Sequence, residues 1–572
     1  MPTIAQRPHQ PIDAQNLNEA GLSPLISRLL AARGIRQIDD AKLDIATLLA
    51  PTELLGIDVA AAHLADAIEA HKHLVIVADY DCDGATACAV GLKGLRSLGA
   101  HVDFLVPNRF EYGYGLSPEI VELAANSPDF SKPDSLITVD NGMASIDGVA
   151  RSNELGMPVI ITDHHLPADE TPAALAIVNP NQHGCGFESK NLAGVGVMFY
   201  VLIATRATLK ARGYFSDKSI PNLSELLDLV ALGTVADVVK LDHNNRVLVA
   251  QGLKRMRAGK MSAGIAALLK IAGRDFTKTS TFGLGFALGP RLNAAGRLDD
   301  MSLGIRCLIS DDPNEANDLA QQLDEMNQER KSIEQKMRED AEVNLSALNV
   351  EVQHSICVTH ADFHQGVIGI VAGRLKEKHH RPTIVFAPDG KEFLKGSGRS
   401  INGIHLRDVL DWVDKTAPDI IVKFGGHAMA AGLTIVAEHY ETFKEAFEEA
   451  VLNMSEPDVF TKQILTDGEL SQSDLTIENV DAINQQVWGQ GFAPPLFEGT
   501  FTVLEQRVLK DAHLKLKLQN AQGIFNAIWF FHADELPRNI QCIYQMQRND
   551  WKGKTELQFL IEHAYPLEAA TA

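Results

Sequence analysis

No apolar run in this 572-residue chain reaches the roughly 18 residues that a bilayer-spanning helix needs. The longest candidate, LAGVGVMFYVLIAT, begins at Leu192 and is stopped by Arg206. The opening residues, MPTIAQRPHQPIDAQ, hold no apolar segment of signal-peptide type, so the expected location is the cytoplasm, with no membrane partner. Six cysteines (Cys82, Cys88, Cys185, Cys307, Cys357, Cys542) are scattered without a CxxC pair. That argues against a zinc ribbon or a disulfide framework and fits a reducing compartment. Internal repeats and low-complexity tracts are also missing. Positive charge is scarce, with 52 Lys+Arg against 74 Asp+Glu and a formal net charge of −22. A chain so acidic does not bind polyanions over its whole surface. The deficit is uneven, however. Residues 311–345 carry eleven acids and four bases, whereas residues 498–560 carry eight bases and seven acids, which leaves room for a locally positive groove.

Hydrophobic residues make up 45% and charged residues 22%, enough apolar material for several cores. Residues 1–70 read as a helical extension, with apolar stripes in SPLISRLLAARGI and ELLGIDVAAAHLADAIEAHK. Short apolar runs then recur between helix-length segments: HLVIVADYD (73–81), HVDFLVP (101–107), SLITVD (135–140), MPVIITDHH (157–165) and LAIVNP (175–180). This alternation predicts parallel strands with crossover helices, a doubly wound α/β domain over residues 71–240. Residues 241–310 continue that core as helices. Residues 311–345 form one long acidic helix starting near Pro313, with a thin stripe of Leu319, Leu323, Met326, Ile333, Met337 and Ala341. It serves either as a spacer or as a helix packed along its own domain. A smaller α/β segment follows over 346–455. From 456 to 572 the pattern becomes β-rich, with five short strands suited to a small barrel of OB type.

The carboxylates fall at strand ends. Asp79, Asp81 and Asp83 follow LVIVA, Asp140 ends SLITVD, and Asp163, His164 and His165 follow PVIIT. Asp237 lies in LLDLVALGTVADVV. In open parallel sheets, sites form outside the carboxyl ends of the strands. Clustered bare carboxylates repel one another, and divalent cations remove that cost. Oxygen donors with one or two imidazoles suit Mn²⁺ or Mg²⁺ better than zinc. Two such ions support phosphoester hydrolysis. A lone DxD or a lone histidine pair is usually a solvated turn. The joint pattern is what points to a metal site.

The segments DYDCDG (79–84), VDNG (139–142), DHH (163–165) and ALGTVADVV (231–239) resemble motifs I to IV of the DHH phosphoesterase superfamily. LAGVGV (192–197), GPRLNAAGR (289–297), HQGVIGIVAGRL (364–375), GSGRS (396–400) and FGGHAMAAG (424–432) narrow the resemblance to its RecJ family of 5′→3′ single-stranded-DNA exonucleases. The resemblance covers nearly the whole chain. It implies a DHH domain, a connecting helix, a DHHA1 domain and an OB-like barrel. It implies that Asp81, Asp83, Asp140, His164 and Asp237 hold two divalent cations, with Asp79 in the same motif. His165 is implied to contact the scissile phosphate, with Asp163 orienting an imidazole. Arg291, Arg297, Ser397, Gly398 and Arg399 are implied to grip the terminal 5′-phosphate. His427 is either a phosphate contact or a structural histidine, and His364 is equally open. Cys82, in a segment read as extended, points away from the ligands. Arg507, Lys510, Lys515 and Lys517, with Trp529, Phe530 and Phe531, suit single-strand binding or a solvated strand face. WGQGFAPPLF departs from the family in placing Phe492 where a GNP-type asparagine is usual. Implied partners are single-stranded DNA, a single-strand-binding protein and a RecQ-type helicase. Another DHH phosphoesterase, or a scaffold without catalysis, is the rival reading.

Overall fold

A computed structural model describes residues 2–168, 170–346, 353–551 and 553–567. The chain divides into two compact units, Gln6–Asp324 with Leu465–Ala572, and Glu325–Ile464 with Met1–Ala5. In the first unit a five-stranded parallel sheet is built from β1 (His73–Ala78), β2 (His101–Leu105), β3 (Ser135–Val139), β4 (Val159–Thr162) and β5 (Ala176–Val178). Every residue of β1, β3 and β4 is buried, as expected for strands covered on both faces. The strand order is β2-β1-β3-β4-β5. The order reverses beside β1, so the β1/β3 crevice is a topological switch point, the place where doubly wound sheets bind ligands.

Helix α1 (Cys82–Leu98) follows β1. The apolar run at 192–205 becomes α2 (Gly194–Ala211), whose first nine residues are all buried, and α3 (Leu227–Ala236) packs against both. The run is thus a core helix, with its apolar length spent on neighbouring helices. Helix α4 (Gly289–Leu298) follows a π-helical turn at Leu284–Leu288. The first residues depart from the helical expectation, since Thr3–Gln6 is a strand. Helices then occupy Pro11–Glu19, Pro24–Ala31 and Ile57–Glu69.

Helix α5 (Pro313–Ser346) matches the long acidic segment. Its buried face runs through Ala316, Ala320, Leu323, Asn327, Arg330, Glu334, Met337, Ala341 and Leu345. The expected stripe followed Leu, Met and Ile and missed the polar centre. Those polar groups can be buried because they pair: Arg330 Nη2 donates to Asn327 Oδ1 at 3.2 Å, and its Nη1 lies 3.5 Å from Glu334 Oε2.

The second unit holds a mixed sheet, ordered β9-β10-β8-β7-β6, of β6 (Ile356–Thr359), β7 (Thr383–Asp389), β8 (Phe393–Arg399), β9 (Ile421–Gly426) and β10 (Ala430–Val436). Only β6 and β7 pair in parallel, across helix α6 (Ile368–His379). FGGHAMAAG forms the β9–β10 hairpin. Glycines 425 and 426 pair with Gly432 and Ala431 across it.

The last five strands, β11 (Phe497–Leu509), β12 (His513–Asn520), β13 (Gly523–Trp529), β14 (Asn539–Trp551) and β15 (Lys554–Pro566), close into a barrel. Pairing is antiparallel except between β13 and β15. Residues 456–496 are not the β-rich start that was expected. They carry one strand, Gln463–Thr466, and a helix, Ile477–Gln485, capped by the Thr476 hydroxyl and buried through Val480 and Ile483. Phe492 is buried, stacks on Trp488 and takes the Arg246 guanidinium 3.9 Å above its ring. The aromatic thus fills its loop by packing.

Candidate active site

The three aspartates after β1 do three different things. Asp79 is 7% exposed, one residue beyond the strand. Asp81 is the N-cap of α1, its Oδ1 accepting from the backbone N–H of Asp83 at 2.9 Å and of Gly84 at 3.0 Å. Asp83 is fully buried and accepts from Gly194 N at 2.6 Å and Val195 N at 2.9 Å, the first amides of α2. A helix N-terminus stabilises a carboxylate placed there. The stretch is therefore a strand-to-helix turn, not the extended segment expected. Cys82, its amide donating to Asn293 Oδ1 at 2.8 Å, is buried as packing at the first turn of α1.

Asp140 takes a left-handed backbone with φ of 62°, unusual for a residue with a Cβ. Its N–H donates to Thr162 O, and the Asn141 side chain donates to Val77 O and Val139 O, which fixes the turn after β3 against β1. Asp163 is buried and saturated. Its Oδ1 accepts from His164 N, His165 N and His165 Nδ1 at 2.7, 3.1 and 2.8 Å, and its Oδ2 from Met143 N at 2.9 Å. Asp237 is the C-terminal boundary residue of α3.

These elements converge on His164. Its Nε2 lies 3.0 Å from Asp140 Oδ1, 3.6 Å from Asp237 Oδ2 and 3.9 Å from Asp83 Oδ2. Donor atoms lie within 4.8 Å of one another in each of three overlapping groups: Asp83, His164 and Asp237; Asp79, Asp81 and Asp140; and Asp140, His164 and His165. Burial, with Asp237 and Asp81 nearby, pushes the Asp83 carboxyl well above the usual range, and burial with Asp83 and Asp81 does the same to Asp140. Burial and Asp81 push Asp237 up to about 7. Burial alone would lower His165, but its bond to Asp163 more than offsets this and holds it at about 9. Burial works to raise Asp163, and the imidazole keeps it below its ordinary value.

The donors fit divalent cations. Asp140 Oδ1 and Asp237 Oδ2 are buried and accept no hydrogen bond among the described residues. Carboxylates this close cannot all ionise unless positive charge lies between them. Oxygen-rich donors with one imidazole match Mn²⁺ or Mg²⁺.

Small residues in the motifs explain themselves by close approach. A Cβ on Gly194 would sit 2.7 Å from the Asp140 side chain, and one on Gly296 would sit 1.8 Å from Tyr80 O. Two groups of residues escaped the sequence reading. Asn179 and Asn181 donate to the carbonyls of His165 and His164 at 2.8 and 2.6 Å, clamping the DHH turn. Tyr114 donates to Asp140 O at 3.1 Å and lies 3.2 Å from His165 Nδ1. The NPN after β5 was visible, but nothing in its spacing aims it at the next turn.

The expected phosphate-binding residues lie apart in the chain. In the first unit, Arg291 donates to Ala287 O at 2.6 Å and pairs with Asp324 of α5 at 2.7 Å, so its guanidinium is engaged within that unit. Arg297 sits half-buried in the last turn of α4. In the second unit, strand alternation turns Gly396 and Gly398 toward Phe386 and Leu406, while Ser397 and Arg399 reach the start of α6. A Cβ on Gly369 would sit 2.9 Å from both Ser397 Oγ and Arg399 Nη2. His427 is exposed in the hairpin turn, and His364 Nδ1 accepts from Gly366 N just before α6.

Comparison with known proteins gives a consistent result. Residues 73–234 match the model of the DHH family, N-terminal domain, residues 349–453 the DHHA1 domain and residues 466–563 the RecJ OB domain. A protein of Escherichia coli (strain K12) named single-stranded-DNA-specific exonuclease RecJ is 45% identical over 563 residues, 96% of this chain and 97% of that protein. The protein of the same name from Bacillus subtilis (strain 168) is 33% identical, covering 98% of this chain and 70% of its own length. A crystal structure of RecJ in complex with Mn²⁺ from Thermus thermophilus is 28% identical with a TM-score of 0.81, over 99% of this chain and 80% of that one.

Proposed function

The chain belongs to the RecJ family of single-stranded-DNA-specific exonucleases, and from that premise we propose that it degrades single-stranded DNA from the 5′ end, releasing 5′-mononucleotides. The observation that carries the reading is the convergence of Asp83, Asp140 and Asp237 on His164 at the sheet's switch point. Asp79, Asp81, Asp83, Asp140, His164 and Asp237 hold two divalent cations, Mn²⁺ or Mg²⁺. Those ions supply Lewis acidity, activating water and neutralising phosphoryl charge. His165, kept protonated at neutral pH by Asp163, donates to a non-bridging phosphate oxygen as charge develops there. Asp163 fixes the ring and the turn. Water adds to phosphorus and the 3′-oxygen leaves.

The terminal 5′-phosphate is read by Arg399 and Ser397 beside the first turn of α6, where a fork of donors and a helix N-terminus favour an anion. Gly398 gives that strand its close packing. Arg297 and Arg291 of α4 are phosphate-binding residues of their own unit in this reading, with Arg291 needing release from Asp324 before it can take part. His427, exposed on its hairpin, is available to phosphate. The outer barrel face carries exposed Arg507 and Lys515, directly opposite one another across β11 and β12, with Phe530 and Phe531 exposed nearby in sequence. Like charges so placed repel, and a polyanion relieves that repulsion.

We keep the division into a helical extension (1–70), DHH domain (71–240), helical continuation (241–310), connecting helix (311–345), DHHA1 domain (346–455) and OB-like domain (456–572) as part of this reading. Residues 347–352 and 568–572 lie outside those described. Part of the same proposal is a cytoplasmic role in recombination and repair, beside a single-strand-binding protein and a RecQ-type helicase. To test the reading, an oligonucleotide is labelled at either end and digested with Mn²⁺. Label leaving first from the 5′ end supports it. Label leaving first from the 3′ end, attack on blunt duplex equal to that on single strands, or hydrolysis of di- to tetranucleotides but not long strands, rejects it.

A further inference from the structure

The opposite edge of the same sheet carries a second set of metal donors. His73 opens β1 and His101 opens β2, and the two are in register as direct neighbours. Asp103 lies two residues along β2, so it projects from the same face as His101. The imidazole rings stack with centroids 4.4 Å apart, and His73 Nε2 lies 3.0 Å from Asp103 Oδ2. One donor atom from each of the three residues falls within 4.8 Å of the other two. The six residues of β1 at about 3.3 Å each place this edge about 20 Å from the carboxylates at the other end of the strand.

The surroundings match what metal-binding imidazoles require. His73 is 6% exposed. Its other nitrogen, Nδ1, faces Ser131 Oγ at 3.4 Å, and Phe130 packs edge-on against the ring at 5.7 Å. A ligating histidine characteristically has its second nitrogen held in this way, which fixes the tautomer and aims the first. The backbone N–H of His73 is anchored by Asp134 Oδ2 at 2.8 Å. The Asp103 carboxylate is divided. Its Oδ1 faces Arg96 at 3.9 Å, while Oδ2 faces the imidazole. His101 is exposed to solvent on one side and stacked on His73 on the other. A tetrahedral ion takes donors at about 2.0–2.1 Å, so an ion here would draw the three donor atoms closer together, with solvent completing the set.

We propose that His73, His101 and Asp103 form a second, non-catalytic metal site, selective for zinc-class transition ions over Mg²⁺. Two imidazoles and one carboxylate are borderline-soft donors, and neutral nitrogen ligands bind Zn²⁺, Ni²⁺ or Cu²⁺ far better than Mg²⁺. The ion ties the first residues of two neighbouring strands together at the end remote from the acid cluster, so its effect is on stability. The site stands on its own residues and does not depend on the nuclease reading.

Zinc would also enter the acid cluster, so the test separates the two. The full chain carrying Asp140→Asn and His164→Ala, which breaks every donor group of the acid cluster, is loaded with Zn²⁺ in the presence of excess Mg²⁺, desalted and analysed for bound metal. One zinc equivalent is expected, with a raised melting temperature. Adding His101→Ala should remove that equivalent and the melting shift, while the metal-free melting temperature stays at the parent's value. Asp103→Asn provides the same comparison if His101→Ala folds poorly. His101→Ala in the wild-type background should leave Mn²⁺-dependent turnover unchanged. Zinc content that is the same with and without His101 and Asp103, or no zinc in the parent, overturns the proposal.

Discussion

Asp81 answers two demands at once, closing the first turn of α1 with one oxygen and belonging to the acid cluster. The two can be separated. Asparagine caps a helix as well as aspartate does. Asp81→Asn should therefore leave the melting temperature near that of wild type while turnover with Mn²⁺ falls by more than about 100-fold, the upper end of the loss seen when only a ligand's support is removed. Asp81→Ala loses the cap as well, at about 1 kcal/mol. Turnover within tenfold of wild type in Asp81→Asn would remove Asp81 from the site. His165 makes a pH prediction. Its folded value of about 9 lies above the roughly 6.5 of an unfolded histidine. A raised folded value stabilises fully below the unfolded one and is lost as pH rises through the folded one. In chelator-treated protein, denaturation midpoints should thus fall between about pH 6.5 and 9, and fall less in His165→Gln. Equal slopes in the two proteins would place the His165–Asp163 pairing in doubt.

At the scale of elements, the site rests on turns that leave no room for a side chain. Gly296 of α4 brings its backbone against Tyr80 O inside the DYDCDG turn, so Gly296→Ala must push the helix off the acid loop. Overpacking of this kind costs typically about 1–3 kcal/mol, and it should appear as a lower urea midpoint together with weaker Mn²⁺ binding. A wild-type midpoint would show that the loop yields freely. This scale also sets what could be read beforehand. The strands β1, β3 and β4 were legible because full burial writes an unbroken apolar run, and Asp79, Asp140 and Asp163 were legible because they end such runs. Asn179, Asn181 and Tyr114 were not, since each acts on a turn to which no local spacing connects it. The buried polar centre of α5 was missed for a related reason. Periodicity registers apolar side chains, whereas Asn327, Arg330 and Glu334 are buried by pairing with one another.

For the whole molecule, a net charge of −22 sits beside a barrel whose outer face sets Arg507 against Lys515 and leaves Phe531 90% exposed. Composition alone pointed away from nucleic acid, and only the local distribution of bases pointed back. Combining Arg507→Ala, Lys515→Ala and Phe531→Ala should weaken binding of long single strands and flatten its dependence on salt. Each lost phosphate contact reduces the slope of log K against log salt by about 0.7 for single strands. Turnover of trinucleotides should not change. Fluorescence anisotropy across a salt series checks the first, and a slope equal to wild type would take the barrel face out of substrate binding. The central claim is that the acid cluster is a two-cation centre. Anomalous diffraction from crystals soaked in Mn²⁺ tests it most directly. Two peaks enclosed by Asp79, Asp81, Asp83, Asp140, His164 and Asp237 are predicted, whereas a pocket without manganese, or those side chains turned apart around it, would contradict the account.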